Sequence, residues 1–326
     1  MVRLRYLVKR TVYSVFLLWI VITGLFFFFR LMPGDYTNLM MFAGASEEAI
    51  AEFERRWGLD RPLYVQYYAY MQNLLTLDAG TSLQFRTPVW DHVNVRILNS
   101  LILILPGITA AYIAGTLFGT LLGKYRGTRA EKYGIIPILM SGTFPAFFTS
   151  ILLIVIFAGW LGWFPTSGIM DPSQRRGLEW WEIYFHPNFY WHYMLPVTAV
   201  FFRYLFLPSL IMRTSVVETL RQDFIEYHRL TGIPQWKLYR HIGKNSILPV
   251  MTMYPISTTR AIGGLVLIET VFNWPGIGFT LVSAVLARDF PVVQFVFFLI
   301  AAYIIVANYL VDLLYGVIDP RVTVGE

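Results

Sequence analysis

Four ionisable side chains, Arg203, Arg260, Glu269 and Asp312, fall inside long apolar runs of this 326-residue chain. A charge near the centre of a bilayer costs roughly 2.5–3.5 kcal/mol on insertion scales unless it meets a partner or water. Arg203 and Arg260 stand near the middle of their runs, so they face something other than lipid. A polar translocation route and ion pairs between helices both meet that requirement. Glu269 and Asp312 lie nearer the ends of theirs, where a side chain can reach the interface by snorkelling. Arg260 and Glu269 are about half a turn out of phase at roughly 100° per residue and cannot pair along one helix. What such residues offer is the handling of charge along a path, with Arg203, Arg260 and Glu269 as its candidates.

Bond-making chemistry finds no support. Cysteine is absent, which removes thiol nucleophiles and thiolate metal ligands. The histidines, His92, His186, His192, His228 and His241, are scattered over separate loops, so no metal site is expected. The run from Gly119 to Lys124 lacks both the spacing and the following Ser or Thr of a phosphate loop and lies on an apolar segment, so the chain is not expected to bind ATP. No catalytic residue and no bound cofactor are expected.

A second cluster is polar and basic. The stretch 221–250, RQDFIEYHRLTGIPQWKLYRHIGKNSILPV, is an island between two apolar runs. Val216, Val217, Leu220, Phe224, Tyr227 and Leu230 recur at helical spacing, Gly232 supplies a stop, and Pro234 opens a short second helix through Ile242 that carries Trp236, Lys237, Leu238, Tyr239, Arg240 and His241. The spacing predicts two helices meeting at a bend. The basic, aromatic one suits a groove on a soluble partner, and a helix lying on the membrane surface is the plainer alternative.

The elements that position these residues are set by composition. The chain is 56% hydrophobic and 14% charged, with mean hydropathy +0.54, which excludes an ordinary soluble domain. A hydrocarbon core of about 30 Å needs roughly 20 apolar residues of helix. Six segments satisfy this: Thr11–Phe29, Asn99–Gly123, Ile135–Gly159, Tyr193–Met212, Ile247–Val271 and Val292–Gly316. The first has a basic start but no small-residue cleavage site before Arg30, so it reads as an uncleaved span. Arg3, Arg5, Lys9 and Arg10 precede the first span, Lys124, Arg126, Arg129 and Lys132 fill the link after the second, and Arg213, Arg221, Arg229, Lys237, Arg240 and Lys244 occupy the island. The positive-inside rule places all three in the cytoplasm, with both termini. The net charge of +6 reflects this orientation rather than nucleic-acid binding.

The reading is therefore an all-α, multi-pass protein of the plasma or inner membrane, in contact with lipid. Residues 1–33 form a tail and first span, 34–98 an extracytoplasmic loop domain, and 99–326 the membrane core with its cytoplasmic segment 213–246. In the loop domain Ser46 is placed to cap a helix that stops at Gly58. The second outer segment, 160–192, is rich in Trp, Tyr and Phe, as an aromatic belt or a contact for a delivery partner or sugar would be. Gly115, Gly119 and Gly123 share one face of the second span and permit close helix approach. Pro106, Pro137, Pro145, Pro208 and Pro255 interrupt the spans, either as kinks round a pathway or as bends in a static bundle.

The island resembles the EAA loop of ABC importer permeases, E-A-A-x-x-x-G followed by a distant I-x-L-P: Glu226, Tyr227, His228 and Gly232, then Ile247-Leu248-Pro249. Tyr227 and His228 replace the two alanines. Met32-Pro33-Gly34-Asp35, Gly58–Leu63, Gly80-Thr81-Ser82, Pro165–Gly168, Arg221–Phe224, Glu269–Gly278, Arg288–Gln294 and Asp319-Pro320-Arg321 are similar to the dipeptide, oligopeptide and nickel branch over essentially the whole chain. The resemblance implies a type I importer architecture. This subunit would pair with a second, similar permease. Two cytoplasmic ATPases carrying ATP and magnesium would dock on the coupling loops, and an external binding protein would deliver substrate. It makes Glu226, Tyr227, His228, Thr231, Gly232, Pro234, Trp236, Lys237, Arg240 and His241 the coupling loop. It also implies dipeptides or oligopeptides as cargo, with nickel chelates and oligosaccharides as alternatives. A stand-alone secondary transporter would need carboxylates at the bilayer centre, where this sequence has arginines.

Overall fold

A computed structural model describes residues 4–31, 41, 46–57, 61–231 and 234–318. Met32-Pro33-Gly34-Asp35, Gly58, Gly232 and Asp319-Pro320-Arg321 lie outside them. Among the described residues every regular element is helical, apart from one isolated bridge between Thr81 and Pro88. The helices are α1 (Leu4–Leu31), α2 (Glu47–Trp57), α3 (Leu63–Leu75), α4 (Val89–Lys124), α5 (Arg129–Thr143), α6 (Ala146–Leu153), α7 (Pro172–Arg175), α8 (Pro187–Thr219), α9 (Asp223–Leu230), α10 (Gln235–Ser246), α11 (Leu248–Val271), α12 (Ile277–Leu286) and α13 (Phe290–Ile318).

Four of them contain stretches long and apolar enough to cross a membrane: Leu7–Arg30, Val89–Lys124, Pro187–Thr219 and Phe290–Leu313. The predicted third span, Ile135–Gly159, is not one straight helix. It breaks between α5 and α6 with a bend of 108°, and α6 runs on as a π-helical turn, Ile154–Trp160. The cause is Pro145, which lacks an N–H and drives Phe144 out of the helical region to φ −74°, ψ 134°. The predicted fifth span is α11, 24 residues long and so about 36 Å. It is less apolar than the other four because Thr252, Tyr254, Ser257, Thr258, Thr259, Arg260 and Glu269 stand on it.

The chain forms two compact units, divided inside α4 after Ser100 and again after Trp274. The first contains the described residues of Met1–Ser100 and Pro275–Glu326. The predicted loop domain is thus built together with the first and last long helices. α1 runs along α13 and also touches α3, burying Ile22, Phe26, Phe29, Tyr70, Leu74, Phe295 and Phe298 in one cluster. The Phe26 ring lies 5.3 Å from Tyr67 and 5.5 Å from Tyr70. Arg30 crosses Phe26 at 5.2 Å and donates to Gln66 Oε1 at 2.8 Å. Arg10 pairs with Asp312, so that acid is compensated within the unit. Ser46 O accepts from Ile50 N at 3.0 Å, opening α2 where expected. Asp289, wholly buried before α13, accepts from Ser82 Oγ and from the N–H groups of Leu83 and Gln84, each at 3.2 Å. It pins the 82–86 turn.

The second unit, Leu101–Trp274, is organised round α8, which packs against α5, α6, α10 and α11. α4 reaches it through glycines. A Cβ on Gly119 would stand 2.4 Å from Ser209 O, one on Gly115 2.7 Å from Pro208 Cγ, and one on Gly123 2.6 Å from Val216 Cγ1. The close approach expected of this face is made to α8. Tyr112 OH meets Ser257 Oγ at 2.6 Å and Thr109 Oγ1 meets Tyr254 OH at 2.7 Å, so α4 and α11 share hydroxyl pairs that keep polar groups satisfied away from water.

Candidate functional site: an elbow and two arginines

The island is not entered by one continuous helix. α8 ends at Thr219, and the chain turns through Arg221 N to Glu218 O at 3.1 Å and Gln222 N to Thr219 O at 3.1 Å before α9 starts at Asp223. The predicted stripe from Val216 to Leu230 therefore splits. Val216 and Ile225 are buried, whereas Tyr227 and Leu230 are 66% and 81% exposed. Asp223 and Glu226 occupy the first turn of α9, where an acid is favoured by the helix dipole, and this competes with continuing α8.

After Thr231 the described chain resumes at Pro234, which stands at the N-cap of α10. α10 runs to Ser246, one turn past the predicted end at Ile242, and its inner face is Leu238, Ile242 and Ser246. Ser246 Oγ meets Thr219 Oγ1 at 2.9 Å, both buried, and this closes the base of the elbow onto the end of α8. Lys124 Nζ lies 4.4 Å from the centroid of the Tyr239 ring, so the end of α4 also touches α10. His228 Nδ1 faces Phe224 O at 2.7 Å, which requires that nitrogen to donate, and its ring lies 5.3 Å from His241.

The outer face carries the remaining expected residues. Glu226, Tyr227, Thr231, Pro234, Lys237, Arg240 and His241 are exposed, as is Trp236 at 63%. Buried aliphatic groups thus fix the elbow from within while aromatic and basic groups stand outward. Periodicity alone missed the Thr219–Ser246 clasp and the Lys124–Tyr239 contact, which join positions far apart in sequence. The basic link after α4 is tied to α8 as well. Glu131 accepts from Gly127 N at 2.6 Å and pairs with Arg213, whose Nε donates at 2.7 Å. The Gly127 N–H and then Arg213 hold the Glu131 carboxyl below its ordinary range.

Arg203 and Arg260 lie on α8 and α11, which pack on one another. Both are exposed. Arg203 Cζ is 5.8 Å from the Tyr204 ring, and among the described residues neither guanidinium has an ion-pair partner. Glu269 differs from the expectation that it snorkels to the interface. It is 0% exposed, held where α11 ends and Trp274 N donates to Glu269 O at 2.8 Å.

In the segment 160–192 Trp160, Trp163, Trp180, Trp181, Phe185 and Trp191 are exposed, whereas Trp274, beyond that segment, is wholly buried against Phe189 and Tyr193, each at 5.9 Å. Asp171 is bound by Asn188 Nδ2 at 2.7 Å and lies 3.5 Å from His192 Nε2, joining that segment to the start of α8.

Comparison with known proteins gives this arrangement its context. Residues 115–324 match the family described as binding-protein-dependent transport system inner membrane component, and residues 3–99 match its N-terminal counterpart. The chain is 32% identical over 320 residues to the glutathione transport system permease protein GsiC of Salmonella paratyphi A, covering 98% of this chain and 99% of that protein. It is 31% identical, with the same coverage, to the permease of that name from Escherichia coli K12. A helical membrane subunit with no strand among its described elements, an elbow with an exposed outer face and full-length similarity to these permeases belongs to the binding-protein-dependent transport system inner membrane component family, the membrane-spanning permeases of ABC importers.

Proposed function

We propose that this chain is one of two permease subunits of a type I importer for dipeptides or oligopeptides, with six spans and both termini cytoplasmic. The single observation that carries the coupling role is the two-sidedness of the elbow. Ile225, Leu238, Ile242 and the Thr219–Ser246 clasp bind it to α8, while Tyr227, Leu230 and Trp236 stand exposed among basic residues. An exposed aromatic and aliphatic patch with a basic rim suits a docked soluble subunit. One ATPase sits on this elbow and a second on the other permease, and ATP and magnesium bind to those subunits. Closure of the ATPases pulls the elbow, and α8 and α11 carry the movement to the membrane, so that ATP occupancy and hydrolysis alternate the access of the pathway.

Arg203 and Arg260 line that pathway, and an external binding protein supplies the cargo. The name of the relatives, a glutathione transport permease, supports a peptide-sized substrate. Replacing Tyr227, Leu230 and Trp236 together by Asp is expected to abolish co-purification of the ATPase and ATP-driven uptake while leaving the permease in the membrane at normal yield. Undiminished ATPase binding by that variant would refute the elbow as the docking site.

A further inference from the structure

We propose that Arg203 and Arg260 form a counter-charge site for side-chain carboxylates of the cargo, so that the importer prefers peptides carrying acidic residues. The inference rests on the peptide-import reading above and adds the charge of what is carried. It starts from the acids. Among the described residues, Asp312 is paired with Arg10, Glu131 with Arg213 and Asp171 with Asn188 and His192. Asp289 is enclosed by Ser82 and two backbone N–H groups, and Glu269 is fully buried. Among the described residues the arginines in the middle of α8 and α11 have no ion-pair partner, and both are exposed.

They stand on two helices that pack on one another. Tyr204, next to Arg203 and under its guanidinium at 5.8 Å, brings its hydroxyl to 3.8 Å from where a Cβ on Gly264 would stand. Gly264 is one turn from Arg260 on the same face of α11. That face continues through Gly263, Gly264 and Leu267, all exposed, and no atom of its surroundings lies within 4 Å of the Cβ position at Gly263. The two glycines leave an open floor beside a cation. A guanidinium within a membrane span calls for an anion or water as its partner. A guanidinium offers a carboxylate paired, parallel hydrogen bonds. A permanent ion pair to the second permease would lock an interface that must open in each cycle, whereas an exposed guanidinium can exchange water for a carboxylate and release it.

The test uses the complete importer, with both permeases, ATPases and receptor, in proteoliposomes, and compares uptake of Ala-Glu-Ala and Ala-Gln-Ala at receptor-saturating concentrations. Wild type is expected to favour the acidic peptide. Arg203→Gln and Arg260→Gln should each lower its uptake about tenfold, the order expected for losing a hydrogen bond to a charged group, and lower uptake of the neutral peptide much less, so that the ratio of acidic to neutral uptake falls. Arg260→Lys keeps the charge but not the paired hydrogen bonds and should retain more acidic-peptide uptake than Arg260→Gln, which separates charge from folding. Equal loss of both peptides, or no loss of either, would overturn the proposal and assign the arginines to the subunit interface. An assembled wild-type complex that imports neither peptide would instead remove the peptide reading itself, and the proposal with it.

Discussion

Gly119 shows how a missing side chain determines packing. Its Cβ position lies 2.4 Å from Ser209 O and 2.8 Å from Met212 Cβ, and backbone cannot yield as a flexible side chain would. Gly119→Ala gains helix propensity of up to ~1 kcal/mol but forces α4 off α8, at a cost on the order of 1–3 kcal/mol. The expected outcome is a lower thermal midpoint of the purified permease in nanodiscs. Gly24→Ala, whose new methyl group meets nothing within 4 Å, should leave the midpoint unchanged or raise it. Arg203 and Arg260 act at the same scale in the opposite sense, as side chains without an ion-pair partner among the described residues.

At the scale of elements, the elbow and the basic link are both fastened to α8, and the fastenings differ in chemistry. The Thr219–Ser246 clasp is uncharged. The Glu131 link depends on a carboxylate that caps the turn through Gly127 N–H and pairs with Arg213. Because the folded carboxyl is held below its ordinary value, near 4.5, its contribution is fully present above that value and is lost as pH falls through the lowered folded one. The wild-type protein should therefore be more stable than Glu131→Gln at pH 7, and the difference should shrink below about pH 4.5, as measured by thermal melts of the two proteins across pH. A constant difference would mean that the side chain acts by shape and not by charge. The bend at Phe144–Pro145 and the turn at Leu220–Gln222 show the same rule for elements: a residue that cannot donate, or an acid that prefers a helix start, redirects a run that hydrophobicity alone would continue.

For the whole molecule, the absence of cysteine makes sidedness accessible to measurement. Single cysteines placed at Arg126 and at Thr166 should react with a membrane-impermeant maleimide from opposite sides, the first only after the cytoplasmic face is opened. Labelling of both from one side would contradict the six-span orientation. The described residues of Met1–Ser100 and Pro275–Glu326 form one unit and Leu101–Trp274 another, so the loop domain read as a separate piece shares its core with the first and last long helices. The second unit contains α8, the elbow and both arginines, and the proposed transmission from ATPase to pathway runs inside it.

Sequence by itself determined the membrane class, most of the long helices, the basic segments, the position of the elbow and the family. Each of these is local or additive: apolar length, charge placement and short motifs survive without knowledge of what they touch. The tertiary structure decided which side of each element is occupied. Periodicity placed Val216 through Leu230 on one stripe, but the turn after Thr219 buried Ile225 and exposed Leu230. Hydropathy gave Glu269 a route to the interface, whereas packing enclosed it completely. In the sequence Arg203 and Arg260 are equally compatible with a pathway and with ion pairs between helices, whereas in the fold neither guanidinium has an ion-pair partner among the described residues. Partnership between distant side chains depends on helix rotation and packing, and a linear pattern of residue types carries no coordinate for either.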